Sequence, residues 1–275
     1  MQVTLLTTRK LCIGLLILTL NACSVTKPDK RPAVDPDITR AATLLQQQDY
    51  LGAAALYRAL AERDPAQVRT FLLLATDASL KGDDIDSTHA LLKNLEHYPL
   101  TGDQNLHYQL LGAELALAQK NGRQALQYLS NPPTEQSNLP LRQRYYRRLA
   151  DAYRQLGNLP KSTEALEQLD QLLLDPTSRL IVQSELLRSL ALLDELTLAQ
   201  IKAPPSSVMA GWIQLAQLLK QYNTTPAALN QAMDQWQQQF PQHPVMPELL
   251  TYQYVQQSDI ATQAATNIAV LLPQS

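Results

Sequence analysis

Histidine side chains are the first candidates for chemistry, because imidazole binds metals and transfers protons near neutral pH. His89 and His97 are eight residues apart, which is not the i, i+4 spacing with which one helix chelates a metal ion. No cysteine or paired carboxylate completes a site around them, or around His107 and His243. The sequence therefore predicts packing or surface roles for the histidines, and no metal or other cofactor.

A short acidic run, Asp83-Asp84-Ile85-Asp86, is a candidate for cation binding. Its spacing is not that of a calcium-binding loop. Carboxylates are favourable at a helix N-terminus, where they accept hydrogen bonds from free N–H groups and face the positive end of the helix dipole. The run therefore predicts the start of a helix, with Asp83 as the N-cap and Asp86 at the third helical position.

A cluster of arginines beside a tyrosine is the best candidate for a binding surface. Its members are Arg144, Tyr145, Arg147, Arg148 and Arg154. The four arginines can share much of one outer helix face, which would suit an anionic cell-wall polymer such as peptidoglycan, or an acidic patch on a partner. The alternative, which we prefer, is a solvated face whose charge is balanced by nearby acids such as Asp151 and Glu164.

The sequence lacks the motifs that carry the common catalytic chemistries. It contains no glycine-rich phosphate loop, no Ser–Lys or Cys–His arrangement and no zinc-protease helix. A cell-wall lytic enzyme would need a cleft with paired acids, and no such pair is evident. The formal net charge of −2 leaves no basic footprint for nucleic acid. The sequence therefore favours a binding or scaffolding protein over an enzyme.

These residues are set in a chain organised by a helical repeat. In the stretch from Asp49 to Pro65, a small residue, Ala53, is followed on the same helix face by Tyr57 and Leu60, and the proline ends the helix. This is the pattern of the second helix of a tetratricopeptide repeat, whose period is about 34 residues.

The period recurs along the chain. Pro99 lies one period after Pro65, and two further hairpins are predicted with turns at Asn121-Gly122 and Gly157-Asn158. Each hairpin has an apolar face that it cannot bury alone, so neighbouring hairpins must stack. We therefore predict an all-α fold, a tetratricopeptide-like helix-turn-helix solenoid, over residues 37–256.

The N-terminus has the features of an export signal. Arg9-Lys10 is followed by an apolar run over residues 11–20, too short to span a bilayer but suited to a signal peptide. The run ends at Cys23, in a motif that resembles the cleavage site of bacterial lipoproteins. We predict a lipoprotein signal peptide over residues 1–22 and a proline-containing tether over residues 23–36.

In the lipoprotein class, this cysteine becomes the first mature residue. Cys23 is thus predicted as the lipid attachment site, carrying acyl chains such as palmitate that hold the protein at a membrane. Ser24 is compatible with sorting to the outer membrane, where the mature chain would face the periplasm.

The last predicted helices carry a family resemblance. Gly211-Trp212, Trp236, Phe240-Pro241, His243-Pro244 and the stretch 267–273 occur in an order and spacing that resemble the N-terminal half of LpoA-type penicillin-binding-protein activators. The two tryptophans lie on the apolar faces of adjacent helices, so we predict that they are structural anchors in the core rather than ligand-stacking residues.

The resemblance implies a function. Members of this family are outer-membrane lipoproteins that cross the periplasm and stimulate a bifunctional class A penicillin-binding protein, and so regulate peptidoglycan synthesis and cell shape. Their C-terminal domain resembles a periplasmic binding protein and is thought to hold the main contact with the synthase. The helical part would then be a spacer and scaffold.

Residues 268–272 read as a buried β-strand, which would have no partner in a helical protein. Residues 257–275 are therefore interpreted as a linker followed by the first strand of a missing α/β domain. The rival hypothesis is a generic tetratricopeptide adaptor lipoprotein, which binds a peptide or an envelope assembly partner in its groove. An open groove with exposed tyrosine and arginine would favour this rival.

Overall fold

The computed structural model describes residues 35–222 and 225–251. The predicted signal peptide, Cys23, most of the tether and the predicted strand at residues 268–272 lie outside these ranges. Within them, the regular structure is helical. The helices are α1 Pro36–Gln46, α2 Tyr50–Arg63, α3 Val68–Lys81, α4 Ile85–Leu95, α5 Asp103–Ala118, α6 Gly122–Tyr128, α7 Leu139–Gln155, α8 Leu159–Leu172, α9 Pro176–Ala191, α10 Glu195–Gln200, α11 Val208–Gln221 and α12 Pro226–Gln239.

Consecutive helices from α1 to α8 pack in pairs, and each of these pairs packs on the next. The repeat signature in α2 is buried as predicted, with Ala53, Tyr57 and Leu60 each at most 5 % exposed. These side chains pack between α1 and α3. Helix α2 ends at Arg63, before the proline at position 65. The predicted all-α, tetratricopeptide-like fold is therefore confirmed for the described residues.

One turn geometry recurs within four successive helix pairs. Each turn places one residue at positive φ, namely Gln48, Asp83, Lys120 or Gly157. The next residue is an Asp or Asn that caps the second helix by accepting a hydrogen bond from the N–H group three residues later. The repeat is thus maintained by a local turn rule, and glycine occupies the strained position in only one of the four turns.

This geometry corrects the prediction for the acidic run. Asp84, not Asp83, is the N-cap of α4, and its carboxylate accepts from the N–H of Ser87 at 3.0 Å. Asp83 is the left-handed residue of the turn, with φ 57°. Asp86 is therefore the second helical residue instead of the third. The prediction was one residue early because the sequence does not show where the left-handed residue of the turn falls.

The turn rule leads to a test at Lys120, which is exposed and has φ 57°. Replacing Lys120 with glycine is expected to raise the free energy of unfolding by about 1 kcal/mol, because an L-residue in the left-handed region is strained by about that amount. Chemical denaturation monitored by circular dichroism measures the change. Gln168→Gly, at an exposed position inside α8, is the matched control and is expected to destabilise by about 1 kcal/mol. Equal destabilisation by both substitutions would contradict the assignment of Lys120 to a strained left-handed conformation.

The apolar side chains form three clusters along the chain. The first lies among α1 to α5, the second among α5 to α7, and the third from α7 to α12 and Leu249. Trp212 and Trp236 are fully buried in the third cluster. The Nε1–H of Trp236 donates to the carbonyl of Gly211 at 2.9 Å, which joins α12 to α11.

Candidate interaction surface

The predicted arginine cluster lies on α7, the first helix of its pair. Arg144 makes a two-point contact with Glu114 of α5, in which Nε lies 2.7 Å from Oε1. Arg144 also contacts Asp77 of α3 at 2.7 Å. Arg148 shares Glu114, with Nε at 2.7 Å, and reaches Asp151 at 3.0 Å. One helix thus makes charged contacts to the first helices of both preceding pairs.

The other two arginines of the cluster reach the following pair. Arg147 Nη1 lies 2.5 Å from Glu185 of α9, and Arg154 contacts the second oxygen of the same carboxylate. Together, the side chains on α3, α5, α7 and α9 form a network that we call the arginine brace. It consists of Asp77, Glu114, Arg144, Arg147, Arg148, Asp151, Arg154 and Glu185.

Two carboxylates of the brace, Glu114 and Asp77, are held ionised in spite of their burial. Burial alone would raise the pKa of Glu114, but its contacts with Arg144 and Arg148 hold that pKa below its usual value. Burial likewise opposes ionisation of Asp77, whose pKa is nevertheless held well below its usual range by the neighbouring His107, Arg144 and Lys81. Arg144 and Arg148 are therefore bound to formal negative charges.

A groove opens beside the brace between α3, α5 and α7. Its volume is about 860 Å³, and its polar lining includes Lys81, Glu114, Arg148 and Arg154. Both acidic and basic groups line it, and each arginine of the predicted cluster contacts at least one carboxylate. The groove is therefore not a strongly cationic surface, because its positive charge is largely matched by the protein itself.

Tyr145 was wrongly predicted as part of this surface. Its side chain is 3 % exposed and its hydroxyl donates to the carbonyl of Leu129 at 2.6 Å. Burial raises the pKa of Tyr145 to about 12. Tyr145 points away from the arginines because that side of α7 is covered by α5 and α6. Of the acids considered as balancing charges, Asp151 belongs to the brace, whereas Glu164 pairs with Lys161.

The partners of the arginines, Asp77, Glu114 and Glu185, were not predicted from the sequence. The brace pairs between successive first helices are separated by 30 to 38 residues, close to one repeat. Residues one period apart occupy neighbouring positions on consecutive first helices. Opposite charges at that separation were the signal that could have identified Glu114 and Glu185.

A second polar constellation lies at the end of the described helices. His243 is surrounded by Trp212, Trp236 and Phe240, whose ring centroids lie 4.7, 4.9 and 6.3 Å from its own. A Cβ atom at Gly211 would lie 2.4 Å from the His243 ring, so only glycine permits this approach. The described part of the sequence motif assigned to family resemblance, residues 211–244, therefore packs around His243.

The remaining histidines do not converge on a site. His89 and His97 are exposed, and His107 lies 3.7 Å from Asp77 beside the brace. Within residues 35–222 and 225–251, no group of three His, Cys, Asp or Glu side chains is placed to hold a metal ion. None of the helices in the described part of the chain is long and apolar enough to cross a membrane.

The fold and its charged network define a helical-repeat protein in which ion pairs join the helix pairs from α3 to α9. The chain belongs to the family described as "LppC putative lipoprotein", whose model matches residues 46–275.

Named relatives agree with this assignment. The chain is 28 % identical over 207 residues to the penicillin-binding protein activator LpoA of Vibrio antiquarius, a match that covers 74 % of this chain and 34 % of that protein. For the LpoA of Vibrio cholerae serotype O1, the values are 27 % over 269 residues, with 94 % of this chain and 41 % of that protein covered. The chain thus spans well under half the length of these relatives.

Solved structures support the fold. The amino-terminal domain of Escherichia coli LpoA superposes with a TM-score of 0.58 at 19 % identity, over 72 % of this chain and 90 % of that one. The N-terminal domain of Haemophilus influenzae LpoA gives 0.54 at 20 % identity, over 73 % and 92 % of the two chains. The described helices therefore have the fold of an LpoA N-terminal domain.

Proposed function

We propose that the protein is an envelope lipoprotein that activates a penicillin-binding protein, and that the helical part is its spacer and scaffold. The observation that carries the scaffold role is the arginine brace. Ion pairs connect α3, α5, α7 and α9 and so restrain the rotation of each helix pair on the next. A spacer needs this property, because a chain of freely rotating pairs would not present a distant site in a defined position.

In this proposal, Cys23 carries the lipid and places the protein at the outer membrane, on its periplasmic face. The partner is a bifunctional class A penicillin-binding protein, contacted mainly through a C-terminal α/β domain of the kind that the family resemblance implies. Support comes from the lipoprotein-like N-terminal motif, the family and the names of the relatives. No catalytic step is assigned to the helical part.

Activation without catalysis requires a difference in affinity. An activator shifts its partner towards an active state only to the extent that it binds that state more tightly. The helical part therefore acts on the synthase through position, and the contacts that discriminate between the two states lie outside it.

The rival hypothesis of a generic peptide adaptor is less well supported. It requires an open groove with exposed tyrosine and arginine. Tyr145 is buried and is not exposed in the groove beside the brace. The arginines of the groove contact carboxylates of the protein itself. For the same reason, we do not propose a direct contact with peptidoglycan at this groove.

Purified class A synthase provides the test, with glycan polymerisation as the readout. Residues 24–256 are expected to leave its rate unchanged within twofold, whereas a longer relative such as the LpoA of Vibrio cholerae is the positive control for stimulation. The same residues with Glu114→Gln, which removes one charge from the brace, are the control for effects of the helical part that do not depend on a contact with the synthase. Full stimulation by residues 24–256 alone would overturn the spacer role.

A further inference from the structure

The segment after α12 is held against α9 by buried polar groups. The side-chain amide of Gln183, which is fully buried, donates to the carbonyl of Pro244 at 2.9 Å and accepts from the N–H of Met246 at 2.8 Å. Arg179 also donates to Pro244, at 3.2 Å. Asp170 of α8 accepts from both Arg179 and Gln183 and so orients them. We call these contacts the exit clasp.

His243 holds the same segment against α11. Its Nδ1 faces the N–H of Val245 at 3.2 Å and must accept that hydrogen bond. Its Nε2 lies 3.0 Å from the carbonyl of Val208 and must donate to it. These partners assign the neutral tautomer with the proton on Nε2. The bond from the Val245 N–H is made only while Nδ1 carries no proton, whereas the Nε2–H bond to the Val208 carbonyl is retained in the protonated ring.

The surroundings of His243 restrict how a second proton can be accommodated. Trp212 of α11, with Trp236 and Phe240 from the end of α12, packs against the ring, and none of these groups is charged. Asp170 is the carboxylate whose charge acts on the imidazole, and it is already engaged by Arg179. Gly211 leaves no space for the ring to shift towards α11.

We propose that His243 is a pH-sensitive latch, in which one proton on Nδ1 displaces the Val245 N–H and so releases residues 245–251 from the clasp on α9. A protonated Nδ1 would face the Val245 N–H donor to donor and would place a cation among three aromatic rings. The sequence continues beyond Thr251. The latch therefore controls whether the segment that leads to those later residues is held against the helices. Acid would therefore loosen the connection between the helical part and the residues after Thr251.

The sign of the pH dependence is set by burial. Burial lowers the pKa of His243 below its ordinary value of 6.5, and this effect outweighs the opposing influence of the Val208 carbonyl and Asp170. The released state takes up a proton more readily than the latched state. The latch is therefore fully closed above pH 6.5, and its opening constant rises by up to tenfold per pH unit as the pH falls from there to the lowered pKa.

Two readouts separate protonation from release. The only two tryptophans of the chain both border His243, and a protonated imidazole quenches indole fluorescence, so their emission reports the charge on the ring. Amide hydrogen exchange at Val245 and Met246, expressed relative to unstructured rates, reports release. Between pH 7.5 and 5.0, both signals are expected to change with one midpoint below 6.5, and protection of Met246 is expected to fall over the same range.

His243→Gln is expected to abolish both transitions, because the amide can make similar hydrogen bonds but does not titrate. His89→Gln, at an exposed position on α4, is the matched control and should behave like the unmodified chain. Quenching without loss of Met246 protection would overturn the proposal, as would an unchanged pH dependence in His243→Gln. If His243→Gln does not fold, the two midpoints in the unmodified chain remain decisive, since separate midpoints would also overturn it.

Discussion

Replacing Arg144 with methionine is expected to lower the free energy of unfolding by about 3 kcal/mol at pH 7. The substitution keeps the aliphatic bulk of the side chain but leaves the carboxylates of Glu114 and Asp77 without their shared cation. Both carboxylates are largely buried, with 10 % and 14 % of their side chains exposed. Removing the shared partner is costly because both charges stay buried with only one cation each, Arg148 beside Glu114 and Lys81 beside Asp77.

The same substitution is expected to have a smaller effect in acid. The lowered pKa values of Glu114 and Asp77 mean that the brace contributes stability above their ordinary values near pH 4, and that this contribution is lost as the pH falls through the lowered values. In the variant, the two carboxyls accept protons more readily, which relieves the buried charge. The difference between variant and unmodified chain should therefore shrink by at least half between pH 7 and pH 3.

Denaturant unfolding at several pH values measures both effects. Arg123→Met is the matched control, because Arg123 is exposed on α6, and it is expected to change stability by less than about 0.5 kcal/mol. A cost for Arg144→Met that is independent of pH would show that the arginine acts through packing alone. A cost equal to that of the control would contradict the brace.

Trp236→Ala is expected to destabilise the protein by about 4 kcal/mol, the range found when a large buried aromatic residue is truncated. Trp236 is 1 % exposed, and its ring packs against Phe240 and His243. The substitution creates a cavity between α11 and α12. It also removes the donor to the carbonyl of Gly211, which is buried with it.

Trp236→Phe separates the two contributions. It retains an aromatic ring but loses the N–H donor, so its expected cost is about 2 kcal/mol. Trp236→Ala should also remove protection from the amides of Val245 and Met246, since His243 loses one wall of its site. Thermal unfolding and amide exchange are the measurements. A cost below about 1 kcal/mol for Trp236→Ala would show that the tryptophan is not an anchor.

The helical repeat could be predicted from the sequence because its causes are local. Ala53, Tyr57 and Leu60 recur on one face at helical spacing, and Pro65 ends the helix whatever packs against it. The turn residues were harder to predict from the sequence. Three of the four left-handed positions hold Gln, Asp or Lys instead of glycine, so the N-cap of α4 was placed one residue early.

The nature of the arginine cluster depended on contacts distant in the chain. From the sequence alone, Arg144 and Arg148 were either a free basic surface or a solvated face. Their partner Glu114 lies on another helix, and the stacking of the pairs brings it within 2.7 Å. Tyr145 was misplaced for a related reason, because its neighbours along α7 do not show which side of the helix α5 and α6 will cover.

By itself, the sequence determined the elements: where helices form, which face of each is apolar, and that pairs of them must stack, since periodicity and proline act within one or two turns. Only the tertiary structure decided what the polar groups do. The arginines that the sequence presents as one surface pair with carboxylates across four helices. His243 lies between two tryptophans and the exit clasp. The physical reason is that charge pairing and burial depend on distances between helices, which stacking creates and local sequence does not specify.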